Sequence, residues 1–352
     1  MSRAPACQTL SGASGRTFFR ILRAMLALLP GLLLATGAVA DPAAGSRFFH
    51  SGDGRIRLVG EQSGVRFQGA YRLPEGGYDP AAVSAICRVF GAPCRSPDTQ
   101  VSLRLVEFID FLQDRFNPEA VIRVVSGYRS PSYNTRIRKK GALAAKASLH
   151  QYGMAADLVM EGVPSRVVWD EVRKVGFGGA GYYHGETVHV DTGPPRSWDE
   201  ATSGVGSGLS DDNKLIGLVT DYDVYRPGDL VMLKFVRMTA FPIGVESRFL
   251  LKRLLEGEEA SVAAAIPPAF CDGTGTGPCP RFADIAQMAG IRLRLPESLV
   301  PGRYLLSARF CDVKWPAMPP GVDTAPILVV GHRPGEPAKP VPAGAGAGND
   351  NR

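Results

Sequence analysis

Apolar residues recur at helical spacing in only a few stretches of this 352-residue chain. In residues 101–116 (VSLRLVEFIDFLQDRF), Leu105, Phe108, Ile109 and Leu112 follow a 3.6-residue period, which predicts an amphipathic helix. Residues 164–175 (PSRVVWDEVRKV) open with a first-turn proline and predict a second. Shorter runs have strand character. Residues 121–125 are β-branched and end at Ser126-Gly127, residues 155–160 follow a glycine turn, and residues 187–191 stop at Gly193-Pro194-Pro195. Downstream, residues 230–236, 291–295, 303–310 and 326–330 read as strands punctuated by Pro227-Gly228 and Pro301-Gly302, with a helical piece around residues 246–256. Helices mixed with strands, followed by strands and turns, predict an α+β unit and then an all-β, sandwich-like unit.

Composition sharpens these boundaries. The small residues from Ala201 to Gly208 mark a linker over 201–210, and the Pro/Gly/Ala-rich residues 334–352 lack the apolar surface to order themselves. The expected organisation is therefore 1–40, 41–200, 201–210, 211–333 and 334–352. Residues 1–40 carry Arg3, Arg16, Arg20 and Arg23 and no acidic residue, then an uncharged stretch ending in Ala38-Val39-Ala40. A basic start, a short apolar run and an A-x-A site predict a secretory signal peptide cleaved after Ala40. The 17 uncharged residues 24–40, interrupted by Pro30, fall short of the roughly 20 that span a bilayer. No integral membrane anchor is expected after cleavage, and the mature chain should be periplasmic or secreted.

The charge reads differently once that segment is set aside. The whole chain has 40 Lys and Arg against 34 Asp and Glu, a net of +6. Without the four arginines of residues 1–40 the balance is 36 to 34, too even to predict a nucleic-acid partner. Five cysteines follow the signal, an odd number. Cys87 with Cys94 would close a short loop; Cys271 with Cys279 would close another, with Cys311 competing for either member of the second pair. No C-x-x-C pair suggests a zinc ribbon, so disulfides are the expectation.

Chemistry concentrates where the histidines do. Of the five, His150, His184 and His189 lie within 40 residues of one another, in the segment that also holds Asp157. His150 precedes a glycine turn, Asp157 lies on the strand that leaves it, and His189 alternates with Val188 and Val190 to share a face with Asp191. Each alone would read as a structural histidine or a turn-forming aspartate. Together, two imidazoles and a carboxylate could supply three metal ligands and leave a position for water, as in catalytic zinc sites.

The motifs go further. Ser126-Gly127-Tyr128-Arg129-Ser130-Pro131, Asn134, Ser148-x-His150-x-x-Gly153-x-Ala155-x-Asp157, Gly181-Tyr182-Tyr183, His189-Val190-Asp191-Thr192-Gly193 and Arg196-x-Trp198 occur in this order. Over about residues 47–200 the chain resembles the zinc D-Ala-D-Ala carboxypeptidase and murein endopeptidase K-like family, within the superfamily that includes lysostaphin-type enzymes and the hedgehog domain. The resemblance implies a hedgehog/D-Ala-D-Ala peptidase-like fold, an antiparallel sheet with flanking helices, acting on peptidoglycan stem peptides. It implies Zn2+ held by His150, Asp157 and His189, with Arg129 contacting substrate. Glu186, three residues before His189, takes the general-base position of the dipeptidase branch, and His184 is the alternative. Asp191 would orient a zinc-bound imidazole; Ser148 and Tyr128 are further substrate or supporting residues. An enzyme hydrolysing an amide of murein is the leading expectation, and a catalytically inactive wall-binding protein that keeps the fold is the alternative. Residues 136–147 are expected to form a loop whose Arg136, Arg138, Lys139 and Lys140 either meet acidic stem peptides or, by default, are simply solvated.

Overall fold

A computed structural model describes residues 46–94, 101–141, 144–203, 211–270, 277–285, 287, 290–311 and 314–331. The expected signal peptide, most of the expected linker, Cys271 and the residues from 332 onward lie outside the described residues.

The first part of the chain builds one seven-stranded sheet. Its elements are β1 (Arg55–Gly60), β2 (Arg66–Ala70), α1 (Pro80–Val89), α2 (Leu103–Phe116), β3 (Ile122–Ser126), α3 (Pro131–Lys139), β4 (Ala155–Met160), α4 (Ser165–Val175), β5 (Gly179–Tyr182), β6 (Val188–Asp191) and β7 (Arg196–Asp199). The spatial order is β2-β1-β3-β4-β6-β5-β7. The sheet is mixed rather than antiparallel as expected: β1 runs parallel to β3, and β5 to β7. A parallel pair needs a crossover, and the chain supplies α1 and α2 between β1 and β3.

Alternation along the central strands creates two unlike faces. Val124, Leu158, Val188 and Val190 enter a core that also holds Ile86 of α1, Leu105, Phe108, Ile109 and Leu112 of α2, and Val168, Trp169 and Val172 of α4. The intervening residues Asp157 and His189 therefore point to the opposite face. Asp79 caps α1 by accepting from the backbone N–H of Ala81, and Pro80 follows in the first turn, where its missing N–H costs nothing. Helix α2 departs from a simple amphipathic design. Arg104, Glu107, Asp110 and Gln113 are buried as well as its apolar residues, because Arg57 of β1, Tyr71 and Arg72 just after β2, and Asp223 of the second half pair with its polar side. The basic run also departs from expectation. Arg136 to Lys139 end α3, a helix whose N-cap Ser130 accepts from Tyr133 N.

The second half is all β. It comprises β8 (Gly217–Thr220), β9 (Val224–Tyr225), β10 (Leu230–Val236), β11 (Ile243–Gly244), β12 (Phe249–Leu254), β13 (Ser261–Ile266), β14 (Ala269–Phe270), β15 (Arg281–Phe282), β16 (Ile291–Arg294), β17 (Gly302–Arg309), β18 (Gly321–Asp323) and β19 (Ile327–Val329). One sheet has the order β14-β16-β10-β8, a second runs β13-β12-β17-β19-β9 with β18 also on β17, and β11 pairs with β15. Leu233 and Phe235 of β10 share one core with Phe249 and Leu251 of β12 and Tyr304 and Leu306 of β17. The helical piece expected around 246–256 is instead strand β12, whose Phe249 and Leu251 alternate inward between two neighbouring strands. Cys87 is bonded to Cys94 as expected, and Cys279 pairs with Cys311. Among the described residues no helix is long and apolar enough to cross a membrane.

Candidate metal centre

Asp157 and His189 face each other directly across the antiparallel β4–β6 pair, so their side chains emerge side by side. His150 comes from a short 3-10 turn, Leu149–Tyr152, that ends on Gly153 at φ 64°. That left-handed conformation is strained for most residues and open to glycine, and it turns the chain directly into β4. Above β4, a register shift between Val124 and Ser126 places Ser126 opposite Asp157. Behind His189, Gly181 has no room for a side chain, since the Trp198 ring occupies the space a Cβ would need. The Trp198 ring lies 4.7 Å from the His189 ring, centroid to centroid.

The three side chains present one donor atom each to a common point. His150 Nε2 lies 3.3 Å from His189 Nδ1 and 3.5 Å from Asp157 Oδ1, and His189 Nδ1 lies 2.9 Å from the same oxygen. Each imidazole is oriented through its other nitrogen. His150 Nδ1 is 2.7 Å from the Gly127 carbonyl oxygen, which makes that nitrogen the protonated one. His189 Nε2 is 2.9 Å from Asp191 Oδ2. Such outer contacts fix ring direction and tautomer in metal sites. Asp191 is itself held by the Gly179 and Gly193 N–H groups at 3.1 and 2.9 Å and by both terminal nitrogens of Arg196.

Electrostatics favour the ligand-ready protonation states for His150 and Asp157. Burial lowers the His150 pKa, keeping the imidazole neutral. Burial pushes Asp157 the other way, but the two histidines prevail and hold it well below the usual carboxylate range. For His189, burial lowers the pKa while hydrogen bonds to Asp157 and Asp191 outweigh it and raise it. Asp191, wholly buried, stays ionised because Arg196 overcomes its desolvation.

The donor set suits zinc. Zinc–nitrogen bonds of about 2.0–2.1 Å put neighbouring ligands of a tetrahedron about 3.3 Å apart, close to the separations found here. His150, Asp157 and His189 are 2%, 6% and 6% exposed, so a cation held by them would be largely enclosed by protein.

The remaining candidates divide. Arg129 belongs to the centre: Nη2 donates to Asp157 Oδ2 at 2.7 Å and Nε to Ser126 Oγ at 3.0 Å. Tyr128 lies beside it, its phenol pKa raised by burial, and Ser148 is buried at the start of the 3-10 turn. Glu186 is exposed and pairs with Arg123 at 3.2 Å. Because Arg123 lies opposite Val159, two residues from Asp157, this pair shares the sheet face of the centre without touching its ligands. His184 is engaged elsewhere, with Nε2 2.6 Å from Asp199 Oδ1 and its ring against Tyr182.

Several participants were given no role from sequence. The Tyr183 hydroxyl donates to Asp157 Oδ1 at 3.1 Å; Ser126 holds Arg129, and Arg196 holds Asp191. All three stand in the motifs quoted above, which offered a signal for their presence but not for their partners.

The comparisons converge on the same part of the chain. Residues 40–198 match the family model described as Peptidoglycan L,D-endopeptidase MepK. The murein endopeptidase K-like, D-Ala-D-Ala peptidase-like recognition therefore holds over this segment. Among curated proteins, the chain is 42% identical over 80 residues to a probable peptidoglycan L,D-endopeptidase MepK of Haemophilus influenzae, covering 22% of this chain and 43% of that protein. It is 35% identical over 88 residues to the peptidoglycan L,D-endopeptidase MepK of Escherichia coli K12, covering 25% and 48% respectively. The matched stretch spans just under half the length of these relatives.

Proposed function

We propose that this chain is an exported zinc peptidase that hydrolyses an amide bond in peptidoglycan stem peptides or their cross-links. In this reading residues 1–40 are removed, 41–200 form a hedgehog/D-Ala-D-Ala peptidase-like catalytic unit, and 211–333 form an accompanying β domain. The observation that carries it is the convergence of His150 Nε2, Asp157 Oδ1 and His189 Nδ1 at mutual distances of 2.9–3.5 Å, within the segment that resembles L,D-endopeptidases. The relatives' printed activity makes an L,D bond the favoured target.

His150, Asp157 and His189 would hold the ion. When bound, zinc would supply Lewis acidity and bring a water's pKa to about 7. The chain's own groups divide the remaining work. Arg129 offers a half-buried cation beside the ligands, able to pair with a peptide carboxylate or the oxyanion of a tetrahedral intermediate. Burial and the neighbouring Asp157 hold the Tyr183 phenol above its ordinary pKa, so it remains a hydrogen-bond donor. Glu186 is the proposed proton carrier, tethered through Arg123 to the face of the sheet that carries the candidate ligands. Asp191 keeps the His189 ring aimed.

Purified sacculi incubated with the mature protein, with and without a chelator, should release muropeptides only in the chelator-free reaction. His150→Ala should lose both bound zinc and product. Glu186→Ala should keep stoichiometric zinc and lose about 10²–10⁴-fold in turnover, the usual contribution of a general base. Zinc-loaded protein that binds sacculi but releases nothing would point to a wall-binding protein instead. Full activity of Glu186→Ala would remove Glu186 from the mechanism.

A further inference from the structure

A cavity of about 360 Å³ lies beside the metal centre, between the end of β3, the end of α1 and the start of α3. Its lining includes Tyr128, Arg129, Tyr133 and Arg136, together with Phe90 and Val124, whose side chains belong to the buried core. It adjoins the ligands through two direct links: Gly127, also in its wall, accepts from His150, and Arg129 donates to Asp157. The two arginines are the only charged residues lining it, and none of its lining residues is acidic. The N-terminal end of α3, with Ser130 at its cap, opens on the same space and adds the positive end of a helix dipole.

The two arginines are not equivalent. Arg129 has two of its nitrogens engaged by Ser126 and Asp157. Arg136 is exposed and makes no ion pair among the described residues; its guanidinium lies 5.0 Å from the centre of the Tyr133 ring. An arginine supported on an aromatic face keeps its N–H edge available for bidentate recognition of a carboxylate.

We propose that this cavity is a substrate subsite for a peptide residue bearing a free carboxylate, with that carboxylate on Arg136. Arg136 is then a specificity-determining residue. The identity of the ligand rests on the peptidase reading above; the anionic character of the subsite rests on the cavity itself.

The test uses the full mature chain and one soluble muropeptide in two forms, with its carboxylates free and with them amidated. Arg136→Ala should raise KM for the free acid at least tenfold with kcat within twofold of the parent, while the two proteins should differ less than twofold on the amide. Arg136→Lys should recover part of the loss. Equal losses on both forms, or none on either, would overturn the subsite even if the enzyme is active. Binding of the same two muropeptides to chelator-treated protein, measured by calorimetry, separates the subsite from turnover. A preference for the acid that disappears in Arg136→Ala supports the subsite even if no cleavage is ever seen, and absence of any preference for the acid in the parent protein overturns it.

Discussion

Asp157 illustrates how much one carboxylate can be asked to do. One oxygen receives Tyr183 and His189, and the other receives Arg129, so a cation bound by the triad would replace or share contacts already made by neighbouring donors. A second aspartate takes the opposite course. Asp110, on α2 and fully buried, accepts from Tyr71 and the Gly54 N–H, yet its Oδ1 has no partner. Desolvation dominates, with Asp114 and Asp53 adding repulsion, and raises its pKa from 3.8 to about 7. The folded state therefore binds this proton more tightly than the unfolded chain, so the group's contribution falls as pH rises from about 4 to about 7 and is constant outside that window. About three units correspond to a cost of up to about 4 kcal/mol at neutral pH. Asp110→Asn should remove this slope: denaturant melts across pH 4–8 should show the parent losing stability relative to the variant as pH increases. Parallel curves would mean that Asp110 does not titrate in this range. Residues of this kind are hard to find in a sequence. The grouping of His150, Asp157 and His189 was legible because these residue types suit a metal and stand in an ordered motif, whereas Ser126, Tyr183 and Arg196 matter through partners that only the register of β3, β4 and β6 brings near.

The 3-10 turn that carries His150 is also where the two halves of the molecule meet. Leu149, Tyr152 and Met154 leave the first core and pack in the second, with Phe235, Met238 and Phe249 among its members. The Tyr152 hydroxyl accepts the Met238 N–H at 3.1 Å. A candidate metal ligand on a short turn needs such support, because a displacement of tenths of an ångström would spoil its position. Tyr152→Phe keeps the ring and deletes the acceptor, so the buried Met238 N–H loses its partner. The variant should lose about 1–3 kcal/mol of stability and weaken zinc binding several-fold, as read by a competitive chelator titration. Unchanged zinc affinity would show that the turn is rigid without this bond. Element-scale reading from sequence succeeded where one face was clearly apolar, as in α2, α4 and β4. It failed at residues 246–256, where charged Lys252 and Arg253 interrupt the run and short apolar alternation fits helix or strand alike; pairing with β13 and β17 decided for strand. It also missed α3, whose polar sequence has only Asn134 buried and whose helical start depends on Ser130 and Pro131.

The described residues from Ser46 to Gly331 pack as one compact unit, although the family match ends at residue 198. Nothing in the sequence foretold how closely the later strands support the earlier sheet. Arg104 of α2 donates to Asp223 Oδ1 at 2.6 Å and to the Thr220 carbonyl at 2.9 Å, all in buried surroundings. Arg47, before β1, reaches Asp229 at 2.8 Å and the Val224 carbonyl at 3.0 Å. These contacts escaped the sequence reading because complementary charges more than a hundred residues apart have no local pattern. They also change the meaning of the near-even charge of residues 41–352, because part of it is committed to internal pairs. A chain ending at Ser203 would retain every residue of the metal centre. It would also uncover Leu149, Tyr152 and Met154 and leave Arg104 without its carboxylate, and breaking a buried pair from one side costs about 3–5 kcal/mol. The expected outcome is a fragment that melts well below the full protein, aggregates at lower concentration and binds zinc at least tenfold more weakly. Arg104→Ala in the full chain supplies the comparison in which the fold is otherwise complete, and should lower the melting temperature while leaving zinc affinity within twofold. If the fragment ending at Ser203 melts and binds zinc like the full protein, the β half is a passenger; if Arg104→Ala reproduces the whole loss, one buried ion pair accounts for the dependence and the apolar support of the His150 turn does not.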